Sequence, residues 1–312
     1  AASKGLDAWK YGFVFSTYKF AMLISSLGAQ KMMSSASPVS VYLSGQFGYF
    51  IFCAIQGSLY WLVNRNTLLT VSLATACNGG CADSIASVVT FAIITSRFKK
   101  KSGVVIAGME FVRQAGNMLG AIFGGILIDL WAYPLPHYTF GVILIMSSPF
   151  MFIVQPTLNQ KGGNVKTPLG SGHPNYWSLL KTPLFLADMV SIMMSWMTLG
   201  FNDSTLEPSL KKFELSNTDL GGVFMVQYAS CAVGAAISGV FCHYQAETFY
   251  AFVGQVMAAL AYVLWGPAPF FRCESSLWMV YLSQVFTGLS SASMFTCAFS
   301  HALKVVGYAP LL

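Results

Sequence analysis

The chain has 312 residues, of which 55% are hydrophobic and only 9% charged, with a mean hydropathy of +0.61. A soluble domain carries about 25% charged residues, and no single core of this size could hide so much apolar surface from water. The apolar residues also run continuously instead of alternating, which excludes a membrane β-barrel, and the net charge of +6 comes from scattered basic residues with no aromatic-interleaved patch, which excludes nucleic acid as a partner.

Nine apolar runs, each long enough for roughly 20 helical residues across a 30 Å hydrocarbon core, predict an all-α polytopic membrane protein. Within lipid, a helix satisfies its own backbone N–H and C=O groups. The runs place helices at 12–29, 39–62, 67–96, 104–130, 138–155, 184–206, 219–242, 248–266 and 277–303. The third and ninth exceed one straight span, which predicts tilting or extension past the bilayer.

The connection from Gln155 to Thr182 is rich in Gly, Pro, Asn and Ser and reads as a flexible linker. It divides the chain into an N-terminal half-bundle at 1–155 with five helices, a linker at 156–183, and a C-terminal half-bundle at 184–312 with four. One set of alternate loops carries Lys31, then Arg97 and Lys99 to Lys101, then Lys161, Lys166 and Lys181, and then Lys304. That set is richer in basic residues than the opposite one, so SRFKKK and the linker are placed on the cytoplasmic side. Chain start and end both read as cut ends, and no signal-peptide pattern precedes the first helix. Cys53, Cys77, Cys81, Cys231, Cys242 and Cys297 lie in apolar runs and read as buried structural thiols. Cys273 sits in a loop with no evident mate, and no metal-ligand cluster or metal site is expected.

Charges inside apolar helices are costly and face a cavity or a partner, so each is a candidate. Asp203 and Glu207 are four apart and share a helix face, where a pair of carboxylates would attract a cationic amine. The alternative puts both in the aqueous loop, Glu207 more readily than Asp203. Glu110 and Arg113 are three apart, either a local ion pair or a proton- or substrate-coupling pair. Asp83 follows a Gly-Gly pair on the third helix and could face a cavity. Lys19 lies mid-helix, too far from either end for easy snorkelling, and is expected in a cavity or an ion pair. Asn202-Asp203-Ser204 matches a glycosylation triplet, but its depth in the membrane argues against modification. His243, at a helix end, reads as a surface residue. Gly116, Gly120 and Gly124 recur every four residues beside Gly125. This spacing predicts either a close helix-packing seam or a pivot for sliding helices. No hydrolytic triad, phosphate-binding loop or carbonyl-lined filter motif is present, so an enzyme, an ATP-driven pump and a channel are not expected.

The run GNMLGAIFGG resembles the glycine-rich fifth-helix signature of major facilitator superfamily antiporters, with Gly116, Gly120, Gly124 and Gly125 in place and Ala121 where the usual proline stands. The preceding AGMEFVRQ, with Glu110, is similar to the stretch before this signature in vesicular amine transporters. GFNDSTLEPSLKKFELSNTDLGGVF resembles the seventh helix and following loop of the vesicular amine and polyamine transporters, and VYLSQVFTGLSSASMF their tenth. The family's fourth-helix arginine has no counterpart in LATACNGGCADSIA, and of its loop gating motif only Gly28 and Lys31 stand in suggestive places in LGAQKMMSSASP. The resemblance implies a major-facilitator-like bundle with helices 2 to 10 of an expected twelve. It implies proton-coupled antiport of an organic cation, an amine or polyamine, driven by a proton gradient without a cofactor. Asp203, Glu110, Glu207, Asp83 and Lys19 would couple substrate and protons, Lys19 pairing with an acid of a later helix as in the vesicular amine transporters. The implied partners are the cation, protons and the lipid bilayer, with a monomeric protein in a vesicular or lysosome-like membrane, or alternatively the plasma membrane. The rival reading is a truncated, non-transporting membrane protein with a scaffold or regulatory role.

Overall fold

The computed structural model describes residues 8–98, 102–161, 180–266 and 276–308. Among them are nine α-helices: α1 (Ala8–Ser35), α2 (Pro38–Ser58), α3 (Arg65–Arg97), α4 (Ser102–Leu130), α5 (Pro134–Lys161), α6 (Pro183–Leu210), α7 (Asn217–His243), α8 (Glu247–Trp265) and α9 (Leu277–Tyr308). Short 3₁₀ turns at Leu59–Trp61 and Lys211–Phe213 extend α2 and α6. No strand occurs among the described residues, and the nine helices correspond one to one with the nine apolar runs. Several run past the apolar segment that marks them. α1 continues six residues beyond 29, and α5 reaches Lys161, taking up the first residues of the expected linker. The cause is that helical hydrogen bonding continues into polar flanks until a cap stops it. The rest of the linker up to residue 179, Lys99 to Lys101 of the basic cluster, and Cys273 lie outside the described residues.

Local chemistry sets the boundaries. Ser37 caps α2, its hydroxyl accepting from the Ser40 N–H at 3.2 Å, and Pro38 occupies the first helical position, where no N–H is needed. α7 begins with a capping box. The Ser216 hydroxyl accepts from the Asp219 N–H, and the Asp219 carboxylate accepts from the Ser216 N–H in return. Glu214 takes a left-handed φ of 50° just before it, which reverses the chain between α6 and α7.

Six helices are long and apolar enough to cross a bilayer: α2 with its 3₁₀ turn, α3, α4, α6 with its turn, α7 and α8. The nine spans expected from sequence are therefore six clear ones among the described residues. α9 falls short because it carries Ser283, Gln284, Thr287, Ser290, Ser291, Ser293, Thr296 and Ser300, all buried against other helices. The outer surface is apolar instead: Phe20, Leu27, Met146, Ile153 and Phe252 are among many large exposed hydrophobic side chains. Such a surface fits acyl chains, not water, and the chain is an integral multi-pass membrane protein.

The helices form two compact units that do not follow chain order. One comprises α1, α2, α3 and α5; the other comprises α4 with α6, α7, α8 and α9. The half-bundles expected from the position of the linker put α4 with α1, α2, α3 and α5. In the first unit, α2 packs along α5, with Gln46 donating to the Leu144 carbonyl and the Ser147 hydroxyl. In the second, α9 is the central helix, flanked by α6, α7 and α8. One apolar core of this unit joins Leu206, Leu210, Val223 and Val280.

The α4 helix meets α7 through small residues near both ends. A Cβ added at Gly125 would fall 2.5 Å from the Asn217 carbonyl oxygen, and one at Gly221 would fall 2.6 Å from that of Ala121. Towards the other end, a Cβ on Gly103 would come within 3.1 Å of the Cys242 Cβ, and one on Gly239 within 3.1 Å of the Ala107 Cβ. The Asp129 carboxylate fastens the junction by accepting from Asn217 Nδ2 and the Thr218 N–H at 2.7 Å each. Of the four expected seam glycines, only Gly125 makes a close approach. Gly116, Gly120 and Gly124 face open space among the described residues, because they lie on a different face of α4 from Gly103 and Gly125.

Candidate functional site

The polar interior of the second unit is built on α4, α6, α7 and α9. Glu110 on α4 is 2% exposed. It receives a two-pronged guanidinium contact, with Arg113 Nη2 at 2.5 Å from Oε1 and Nε at 2.9 Å from Oε2. Gln114 Nε2 adds a third bond to Oε1 at 2.6 Å, and Asn117 Nδ2 donates to Gln114 Oε1 at 3.2 Å. The three- and four-residue spacing lays these four side chains along one stripe of α4. A carboxylate this buried persists only when paired and hydrogen-bonded, and Glu110 is both.

Arg113 also reaches α6. Its guanidinium carbon lies 5.3 Å from the centre of the Trp196 ring, a cation–π contact. Trp196 is held by Phe295 of α9, edge-on at 5.8 Å between centroids. One turn earlier than Phe295, the Ser291 carbonyl accepts from the Ser195 hydroxyl at 2.8 Å, fixing α6 to α9 beside the tryptophan. Two turns along α6, Asp203 is half-buried and accepts a hydrogen bond from the Tyr228 hydroxyl of α7. Tyr228 lies within electrostatic reach of Arg113 as well, and Cys231 within reach of Glu110 and Arg113. The result is two polar groups, Glu110–Arg113–Trp196 and Tyr228–Asp203, within electrostatic reach of one another through Arg113.

Directly behind Asp203, Asn202, Gln227 and Gln284 are each 0% exposed. Asn202 Nδ2 donates to Gln227 Oε1 at 2.8 Å, and Gln284 Nε2 donates to Asn202 Oδ1 at 3.1 Å. This amide triad ties α6, α7 and α9 together and sets the separation at which Asp203 meets Tyr228. It also takes up Asn202 of the glycosylation triplet, a residue buried within the unit.

The other sequence candidates are Glu207, Asp83 and Lys19. Glu207 is exposed in the last turn of α6. Asp83 belongs to the first unit. Its Oδ2 accepts from the Tyr18 hydroxyl at 2.9 Å and its Oδ1 from the Ser87 hydroxyl at 3.3 Å, with Tyr49 hydrogen-bonded to Tyr18. Lys19, also in the first unit, is an exposed side chain whose amino group stands 5.7 Å from the Tyr18 ring centre. Cys77 is exposed and Cys81 half-buried, so the expectation of buried thiols holds for Cys53, Cys231, Cys242 and Cys297 only.

A histidine–carboxylate contact and one further ion pair lie outside the sequence candidates. His301 Nδ1 of α9 lies 2.7 Å from Asp188 Oδ2 of α6, and Lys304 of α9 pairs with buried Glu247 at the start of α8. Asp188 stands out in the apolar run LFLADMVSI, which is a signal legible in sequence. Its partner, 113 residues away, is not.

A sequence profile described as Major Facilitator Superfamily matches residues 2–309 of this chain. The chain belongs to the Major Facilitator Superfamily. It is similar to the MFS-type transporter SLC18B1 of Rattus norvegicus and of Mus musculus, 23% identical over 316 residues in each case. Both alignments cover 97% of this chain and 67% of the relative. The Homo sapiens protein of that name is 21% identical over 309 residues, covering 97% of this chain and 65% of the relative. The chain thus spans about two thirds of the length of these relatives. Major facilitator proteins are transporters and not enzymes, which accords with the absence of a hydrolytic triad in the sequence.

Proposed function

We propose that the chain works as a secondary transporter that exchanges an organic cation, an amine or polyamine, for protons across a vesicular or lysosome-like membrane. The observation that carries this reading is the Glu110–Arg113–Trp196 and Asp203–Tyr228 array. Two carboxylates and an aromatic face belong to the polar interior of one apolar unit, the chemistry that recognises an ammonium or guanidinium group. Asp203 is the coupling acid in this reading. A carboxylate that holds either a proton or the cation, but not both, makes release of one a condition for binding the other. Rocking of helix bundles around the site would expose it to each side in turn. The proton gradient supplies the energy, no cofactor takes part, and one monomer suffices. Glu207, Asp83 and Lys19 contribute secondary charges in this reading.

The test is uptake of labelled spermidine and serotonin into proteoliposomes with an acidic interior. Asp203→Asn should lower uptake by about tenfold or more and abolish its dependence on the pH gradient. Unchanged uptake and pH dependence would remove Asp203 from the mechanism. No uptake of either amine by the unaltered chain would overturn the organic-cation reading.

A further inference from the structure

We propose that a file of buried hydroxyl groups along α6 carries protons between Asp203 and the Asp188–His301 contact at the far end of the unit. This rests on the proton-coupled organic-cation reading and adds to it the route by which a proton reaches or leaves the coupling acid.

The sequence of α6 sets out the file. Asp188, Ser191, Ser195, Thr198 and Asn202 are spaced three and four residues apart, so they share one face of an otherwise apolar helix. From Ser191 to Asn202 these side chains are buried, and α9 packs along α6. Three contacts hold the two helices antiparallel. His301 Nδ1 lies 2.7 Å from Asp188 Oδ2, the Ser195 hydroxyl donates to the Ser291 carbonyl at 2.8 Å, and Gln284 donates to Asn202 at 3.1 Å. Near Asp203, the Tyr262 hydroxyl of α8 donates to the Thr198 carbonyl at 3.0 Å and lies within electrostatic reach of the acid. The file thus runs from Asp203 past Tyr262, Thr198, Ser195 and Ser191 to Asp188.

Geometry suits such a file to relaying protons. Asp188 and Asp203 are fifteen residues apart on α6, about 22 Å along its axis, too far for one step. Side chains one turn apart stand about 5–6 Å from each other, the span of two hydrogen bonds in series, so one water between successive hydroxyls closes each gap. A hydroxyl accepts a proton on its oxygen while passing its own onward, so a proton released by Asp203 arrives on the Asp188–His301 contact and every hydroxyl between them keeps its proton count. Ser191 marks the file as more than packing. It is 6% exposed and its hydroxyl has no hydrogen-bond partner, whereas those of Ser195 and Thr198 donate to backbone carbonyls. A buried hydroxyl left unmet is destabilising, and alanine would serve packing better at that place. Charge balance favours a proton at the far end. Glu247 of α8 lies within electrostatic reach of Asp188, Lys304 of α9 pairs with Glu247, and Cys242 of α7 is within reach of both. Lys304 answers one of the two carboxylates, and a proton shared by Asp188 and His301 answers the other.

Exchange of amine for amine needs no net proton movement, whereas uptake driven by a pH gradient does, so the two together separate a proton path from a structural element. Both are measured with labelled spermidine and serotonin on the full chain in proteoliposomes, exchange at equal amine and equal pH on the two sides, uptake with an acidic interior. Ser191→Ala removes an unpartnered hydroxyl, and Asp188→Asn keeps a hydrogen-bonding group opposite His301, so both variants should fold. Each should slow gradient-driven uptake about tenfold or more while exchange stays within about twofold of the unaltered chain. Unchanged uptake by Ser191→Ala, or an equal loss of uptake and exchange, would overturn the path and return the stripe to packing, with the transport reading intact. Neither activity in the unaltered chain would instead overturn the organic-cation reading, and the path with it.

Discussion

Arg113→Ala is expected to destabilise the second unit by about 3–5 kcal/mol, the cost of stranding a buried charge. Glu110 is 2% exposed, and its carboxylate depends on the guanidinium for two of its three hydrogen bonds. Without Arg113, the Gln114 amide remains the single donor to a full negative charge in an apolar bundle. The 37% exposure of Arg113 limits what the pair itself contributes, because solvent screens its attraction. It does not reduce the cost of leaving Glu110 alone. That cost should vanish when Glu110 is neutralised as well, so Glu110→Gln/Arg113→Gln should melt close to the unaltered chain. The measurement is unfolding of the purified protein by increasing SDS in dodecyl maltoside. A single variant as resistant as its parent would mean that Glu110 reaches water and is not a buried anion.

How far sequence leads differs between backbone and site, for physical reasons. Nine apolar runs become nine helices because the bilayer requirement acts within each segment and needs no knowledge of the partner. The Glu110–Arg113 pair is legible for the same reason, being three residues apart on one helix. Trp196 beneath Arg113, Tyr228 on Asp203 and the Asn202–Gln227–Gln284 triad are not, because they join residues far apart in the chain. An amide within an apolar run gives no sign of what it will meet. The polar stripe of α9 is a further case. Its serines and threonines lower the hydropathy of a run still legible as a helix, yet they are buried against neighbouring helices, where Ser283, Thr287, Ser290, Ser291 and Ser293 hydrogen-bond back to their own helix. Such back-bonding removes the cost of burial without changing the composition that sequence reading sees.

The glycines of α4 separate seam from pivot by a pair of opposite expected results. A periodicity of four marks one face of a helix but not what lies against it, so Gly116, Gly120 and Gly124 read as a packing seam or a pivot, while the contact falls at Gly125. Gly125→Ala puts a methyl group 2.5 Å from the Asn217 carbonyl oxygen, and Gly221→Ala puts one 2.6 Å from that of Ala121. The obstacle in each case is backbone, which cannot rotate aside, so α4 and α7 must part locally, at an overpacking cost of about 1–3 kcal/mol. The Asp129 bonds to Asn217 and Thr218 lie at the same junction and should loosen with it. Gly116→Ala and Gly124→Ala meet nothing within 4 Å, so each should gain the roughly 0.5–1 kcal/mol by which alanine is favoured over glycine inside a helix. SDS unfolding of the four single variants reads both signs at once. Amine uptake then decides what the open face is for. If Gly116→Ala and Gly124→Ala are more stable yet transport more slowly, that face must come close to another helix during the cycle, as a pivot would. If they are more stable and transport at the normal rate, the repeat is a surface feature. Loss of stability at Gly116 and Gly124 as well would mean that α4 also packs through the repeat.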